Sequence, residues 1–207
     1  MEIFPPRAVV FDLDGVILDS FETNIAYYGF IARQMGLPPL SQHDQEVVHR
    51  ETHEQALIHI AGQERFDEAL AWGRDFNARQ MQQNHKLYDG AREVISLLHG
   101  KVPLAVGTNR SHSGLNILRE LGLLNYFSII VTPVEAPQPK PHAVFMSYLL
   151  EKIGKTTNEV VYVGDSLVDE ELCNNSGVRL VAFKNQGLNA WAYADEFSDI
   201  PEILGLA

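Results

Sequence analysis

Two aspartates stand two residues apart in the run Phe11-Asp12-Leu13-Asp14-Gly15, directly after the apolar stretch Ala8-Val9-Val10. Side chains at i and i+2 of an extended chain point the same way. Asp12 and Asp14 are therefore expected to serve one site. One carboxylate can attack phosphorus while the other handles the proton of the leaving group, and a covalent aspartyl-phosphate divides one displacement into two easier ones. For that division of labour Asp14 needs a pKa above that of Asp12, and neighbouring negative charge is expected to raise it. Gly15 gives the backbone room to turn away. Three further polar clusters occur downstream: Thr108-Asn109, Lys140-Pro141, and Gly164-Asp165 with Asp169 one helical turn later.

Together these clusters would bring four carboxylates, a hydroxyl, an amide and an ammonium to one crevice. Several carboxylates in a partly desolvated site repel one another unless a cation sits among them. Oxygen donors without cysteine or histidine favour a hard ion, and magnesium binds through one or two carboxylates, several waters and a substrate phosphate. Each cluster also has a plainer reading. Asp and Gly are common in strand-end turns, Thr and Asn cap helices, and a loop lysine is usually solvated. Asp169 with Glu170 and Glu171 could form a solvated first turn.

The elements that would position these residues are legible as short apolar runs. Ala8-Val9-Val10-Phe11, Leu104-Ala105-Val106, Ile129-Ile130-Val131 and Val160-Val161-Tyr162-Val163 read as strands buried on both faces, and Leu180-Val181-Ala182-Phe183 as the last core strand. Helical segments at 91–98, 114–121 and 143–153 alternate with them. This predicts an α/β fold, a doubly wound parallel sheet of right-handed βαβ units, in which ligands bind outside the carboxyl ends of the strands. All four polar clusters fall at such ends. The stretch from Asp19 to His85 differs. Ile25, Tyr28, Gly29 and Ala32 recur at helical spacing, Phe66, Ala69, Leu70 and Phe76 mark another helix, and 42–60 is helix-compatible. No β-like run interrupts it. It reads as a small all-helical insertion after strand one, started by a cap from Asp19 with Glu22 or Ser20 with Thr23, and turned at Gly36-Leu37-Pro38-Pro39.

Composition narrows the function classes. A formal net charge of -11 argues against non-specific binding to nucleic acid or an anionic membrane. The one cysteine, Cys173, excludes an internal disulfide and reads as a small core residue. Met-Glu-Ile-Phe-Pro-Pro-Arg lacks the features of a signal peptide, and no apolar stretch reaches the length of a membrane span. A cytoplasmic location is expected. His43, His49, His53 and His59 crowd the insertion, but His-Arg-Glu-Thr-His is not the His-Glu-x-x-His zinc motif, and a polar helix surface is the expected role.

Asp12-Leu13-Asp14-Gly15, Thr108-Asn109, Lys140-Pro141 and Gly164-Asp165-Ser166-Leu167-Val168-Asp169 resemble the four ordered motifs of the haloacid dehalogenase-like hydrolase superfamily. The resemblance implies a core formed by 1–17 and 87–207, and a helical cap over 18–86, of the type that family places after strand one. It implies that Asp12 is the nucleophile and a metal ligand, and that Asp14 is the general acid/base and gives its backbone carbonyl to magnesium. Thr108 and Asn109 would bind the phosphoryl group. Lys140 would hold nucleophile and phosphate together, Asp165 would complete the metal site, and Asp169 would anchor a metal-bound water or Lys140.

Within that superfamily, Asp14 excludes the dehalogenases, which lack an acid/base there. No lysine lies between Val16 and His85, whereas the phosphonoacetaldehyde hydrolases need one in the cap. The sugar-phosphate mutases usually carry a cap histidine twelve residues after the nucleophile, and here Asn24 stands at that place. The reading is a magnesium-dependent phosphatase resembling phosphoglycolate phosphatases, acting on a small phosphorylated metabolite. A mutase is the runner-up, and a phosphoacceptor or binding protein the reading of another class. Asn24, Arg50, His53 and Arg110 are candidate substrate contacts.

Overall fold

Six short strands form one parallel sheet: β1 Ala8–Phe11, β2 Leu104–Gly107, β3 Ile129–Val131, β4 Val160–Gly164, β5 Arg179–Phe183 and β6 Ala192–Ala194, in the order β3-β2-β1-β4-β5-β6. This computed structural model describes residues 5–51, 53–79, 85–110 and 112–207, apart from the side chains of 46, 49, 50, 77–79, 112 and 113. The α/β fold class and the parallel sheet are as the apolar runs predict. The fifth run is not the last strand, however, because β6 extends the sheet and pairs Val181 with Ala192. Its sequence, Ala-Tyr-Ala, is three residues long and only partly buried, and so lacks the run of large apolar residues that marks the others.

Both faces of the sheet are buried because alternate strand residues point to opposite sides. Val9, Phe11, Val161, Val163, Val181 and Phe183 belong to one core layer. Ala8, Val10, Val160, Tyr162, Leu180 and Ala182 belong to the other.

Nine α-helices are described in chain order: α1 Phe21–Gln34, α2 Gln42–Arg50, α3 His53–Ala61, α4 Phe66–Arg79, α5 Ala91–His99, α6 His112–Glu120, α7 Ala143–Ile153, α8 Leu167–Ser176 and α9 Ile200–Ile203. Ala91, Val94, Ile95 and Leu98 of α5, with Ile117 and Leu118 of α6, cover the first layer. Phe145, Met146, Leu149 and Leu150 of α7, with Leu172 and Cys173 of α8, cover the second.

The chain divides into two compact units, one of Met1–Asp19 with His85–Ala207 and one of Ser20–Asn84. The second contains α1 to α4 around its own apolar centre of Tyr28, Ile31, Met35, Val48, Ala56, Leu57 and Ala69. Ser20 stands at the N-cap of α1 but makes no side-chain capping bond, and Asp19 pairs instead with Lys86 at 3.1 Å. The passages that leave and re-enter the sheet unit are tied together. The Asp19 N–H donates to the Lys86 carbonyl at 2.9 Å, and Leu18 forms an antiparallel bridge with Leu87. Among the described residues, no helix is long and apolar enough to cross a membrane.

The segment after β6 is pinned by one aromatic residue. The Phe197 ring is fully buried, stacks on Phe11 at 5.9 Å and meets Phe183 edge-on at 5.3 Å. Phe197→Ala is expected to lower stability by about 3–5 kcal/mol, measured by urea unfolding, through the lost contacts and the cavity left between β1 and β5.

Candidate active site

The strand order reverses direction between β1 and β4, and a crevice at their carboxyl ends is where such sheets bind ligands. Asp12 continues β1 by one residue, its N–H donating to the Val163 carbonyl at 2.9 Å. Asp165 follows β4 directly. Thr108 continues β2, donating its N–H to Val131 of β3 at 3.1 Å. The sheet ladder itself therefore fixes where these side chains begin.

Lys140 joins them from the loop ahead of α7. Only 3% of its side chain is exposed, and its Nζ lies 2.9 Å from Asp12 Oδ1 and 2.7 Å from Asp169 Oδ1. A third donor reaches the Tyr162 hydroxyl at 3.0 Å, and that hydroxyl donates onward to the Gly107 carbonyl at 2.7 Å. Burial disfavours the ammonium, but Asp12 and Asp169 outweigh it and hold Lys140 charged well above the ordinary lysine range.

Asp169 is fully buried, which removes the solvated-turn reading for that residue. Its Oδ2 accepts from the Ser166 hydroxyl at 2.8 Å and from the backbone N–H of Asp165 at 3.2 Å. Ser166 and Asp169 thus form the capping box that starts α8. The backbone of Lys140 is clamped by Asn109, whose Nδ2 donates to the Lys140 carbonyl at 3.1 Å and whose Oδ1 accepts from the Lys140 N–H at 2.9 Å. The amide that the resemblance gives to a phosphoryl group is here engaged in positioning Lys140.

Asp14 does not have the environment expected for it. Burial raises its pKa, but the charge and hydrogen bonds of Arg110, joined by Lys140, bring it below the ordinary value. Arg110 grips both oxygens, Nε to Oδ2 at 2.8 Å and Nη2 to Oδ1 at 2.6 Å. The group raised instead is Asp12, to about 7, by burial first, with Lys140 opposing and Asp169 and Asp14 adding repulsion. The expectation that negative neighbours would raise Asp14 fails because it did not include a cation 96 residues away.

Asp12, Asp165 and Asp169 lie close enough to offer oxygens to one metal ion, within 4.8 Å of one another. Burial, then Asp169 and Asp12, push Asp165 far above the ordinary carboxylate range. Four carboxylates face two cations, Lys140 and Arg110, and the surplus negative charge suits a divalent ion with oxygen ligands. Gly15 belongs to the same arrangement. It has φ +76°, and a Cβ there would overlap the Asp165 carboxylate, so the residue is needed for space as much as for its turn.

The remaining sequence candidates, Asn24, Arg50 and His53, belong to the helical unit. Asn24 is half-buried on α1, and His53 sits on α3 with its Nε2 2.8 Å from the Tyr27 hydroxyl. Arg50 and His49 have side chains outside the described residues. Sequence reasoning missed Tyr162 and Asn185, the second of which donates Nδ2 to the Asp165 carbonyl at 2.8 Å. A signal for Tyr162 existed, because a tyrosine in a strand buried on both faces must find its hydroxyl a partner.

With this geometry in view, the comparisons with known proteins are direct. The sequence pattern of the haloacid dehalogenase-like hydrolases matches residues 9–183. The chain belongs to that family. A haloacid dehalogenase superfamily hydrolase of subfamily IA from Geobacter sulfurreducens is 33% identical, with a TM-score of 0.79, over 96% of this chain and 99% of that one. A phosphoglycolate phosphatase from Chromobacterium violaceum is 29% identical over 91% of this chain and 87% of its own length. Another from Yersinia pseudotuberculosis is 28% identical over 79% and 74%. A haloacid dehalogenase-like hydrolase from Streptococcus pneumoniae shares the fold, with a TM-score of 0.85 at 17% identity over 98% of this chain and 99% of that one.

Two substitutions probe this haloacid dehalogenase-like site. Gly15→Ala is expected to displace the Asp165 carboxylate and strain the backbone, with a loss of about 1–3 kcal/mol in denaturant unfolding. Tyr162→Phe removes the hydroxyl between Lys140 and Gly107 and leaves buried groups unpaired. A loss of about 1–3 kcal/mol in denaturant unfolding is expected.

Proposed function

We propose that this chain is a magnesium-dependent phosphatase that hydrolyses a small phosphomonoester through an aspartyl-phosphate on Asp12, with phosphoglycolate as the first substrate to test. The observation that carries this reading is the buried Lys140, bridged to Asp12 and Asp169 beside Asp165 at the sheet's switch point. It fixes the orientation of one carboxylate and keeps a positive charge where a phosphoryl group would arrive. The family match and the similarity to proteins named phosphoglycolate phosphatase support it.

In this reading an Asp12 oxygen forms a bond to phosphorus while the bond from phosphorus to the ester oxygen breaks. Asp14, a carboxylate while Arg110 grips both its oxygens, must be released and take a proton from water before it can supply the one that the departing alkoxide needs. A water then attacks phosphorus, Asp14 takes back its proton, and Asp12 leaves as the carboxylate, so the enzyme is regenerated. Lys140 and the Thr108 hydroxyl hold the phosphoryl oxygens, and Asn109 keeps Lys140 in place. Asp12, Asp165 and the Asp14 carbonyl would hold magnesium, which when bound neutralises charge on the phosphoryl oxygens.

The test is phosphate release from a panel of phosphorylated metabolites with magnesium present. Asp12→Asn is expected to lower kcat by about 10³-fold or more while the circular dichroism spectrum stays that of the wild type. Chelation should abolish turnover, and added magnesium should restore it. Undiminished activity in Asp12→Asn, or activity indifferent to chelator, would refute the assigned chemistry.

A further inference from the structure

Arg110 is the cation of this site that the reaction above leaves without a task. Its N–H donates to Thr108 Oγ1 at 3.0 Å, which fixes the start of the side chain. From there the guanidinium forks onto Asp14 at 2.8 and 2.6 Å. A two-pronged pair of this kind takes up both carboxylate oxygens in the plane where they bind best. While it stands, Asp14 has no oxygen turned to an ester oxygen.

The two cations of the site differ in exposure. Lys140 shows 3% of its side chain to solvent, whereas Arg110 shows 25% and Asp14 29%. An anion arriving from solution can therefore reach the Arg110–Asp14 pair.

Resting on the phosphatase reading, we infer that Arg110 is a substrate-operated latch: it holds the Asp14 carboxylate until a second anionic group of the phosphomonoester takes over the guanidinium, which frees Asp14 to take a proton from water and pass it to the ester oxygen. The exchange replaces one anion by another, so Arg110 is never left unpaired. A neutral group offers no replacement, and Asp14 then leaves the guanidinium only at the expense of an uncompensated charge. Because Asp14 must touch the ester oxygen and Arg110 touches Asp14, the second anion belongs within a carbon or two of that oxygen. A carboxylate on the alcohol half of the ester fits. Discrimination of this type acts through the availability of the proton donor and so appears in kcat as well as KM.

Phosphoglycolate and ethyl phosphate differ by that carboxylate and make the test. With magnesium present, the wild type should prefer phosphoglycolate by about 10²-fold or more in kcat/KM. In Arg110→Ala the two substrates should move in opposite directions, phosphoglycolate falling at least about 10-fold and ethyl phosphate rising several-fold as Asp14 is released. Arg110→Lys keeps the cation but loses the fork. It should raise ethyl phosphate turnover while retaining more of the phosphoglycolate rate than Arg110→Ala. Parallel losses on both substrates, no change on either, or a loss on phosphoglycolate with no gain on ethyl phosphate overturns the latch. Wild-type turnover that Asp12→Asn abolishes carries the phosphatase reading separately, so it survives a failed latch. A wild type inert towards both esters and the wider panel overturns both together.

Discussion

A lysine ammonium removed from solvent and held between two carboxylates sets the terms for the rest of this structure. Taking such a charge out of water is costly unless every donor finds a partner. Lys140 has three protons and meets three acceptors: Asp12, Asp169 and the Tyr162 hydroxyl. Those acceptors come from the end of β1, the first turn of α8 and the middle of β4. Each element must therefore be held to within a fraction of an ångström of the others, which is the task of the two close-packed layers on either face of the sheet. The capping box of Ser166 and Asp169, and the amide clamp of Asn109, remove the remaining freedom.

The same arrangement explains how an acidic chain can bind an anion. Overall the protein carries -11, and its field repels phosphate at a distance. Within the crevice, Asp12 and Asp165 are both raised, by burial first and then by repulsion from neighbouring carboxylates that outnumber Lys140 and Arg110. A divalent cation held there would relieve that repulsion and supply the positive charge that a phosphoryl group needs.

Exposure divides the labour between the two basic residues. Lys140, with its backbone clamped and its ammonium buried, keeps a permanent partner set. Arg110 lies nearer solvent, on a pair that a competing anion can enter. A deep charge positions and a shallow one can exchange, because desolvation and partner loss are far more costly in the interior.

Much of the fold was legible in the sequence by itself. Strands buried on both faces must be short apolar runs, and helices between them must show their own period, so the parallel sheet, the helical insertion and the placing of Asp12, Thr108 and Asp165 at strand ends all follow from local pattern, whereas Lys140 reaches the site from the loop ahead of α7, well past the end of β3. β6 was not legible, since Ala-Tyr-Ala has too little apolar surface to mark a strand until β5 is beside it. The partners of each polar group were hidden for a different reason. Arg110 finds Asp14 across 96 residues and Asn109 finds Lys140 across 31, and local spacing carries no information on such pairings. Electrostatic environment depends on distance in space, so the sequence by itself determined which carboxylates meet at the site. Only the tertiary structure decided that Asp14 is gripped by a guanidinium, and that burial raises Asp12 and Asp165 instead.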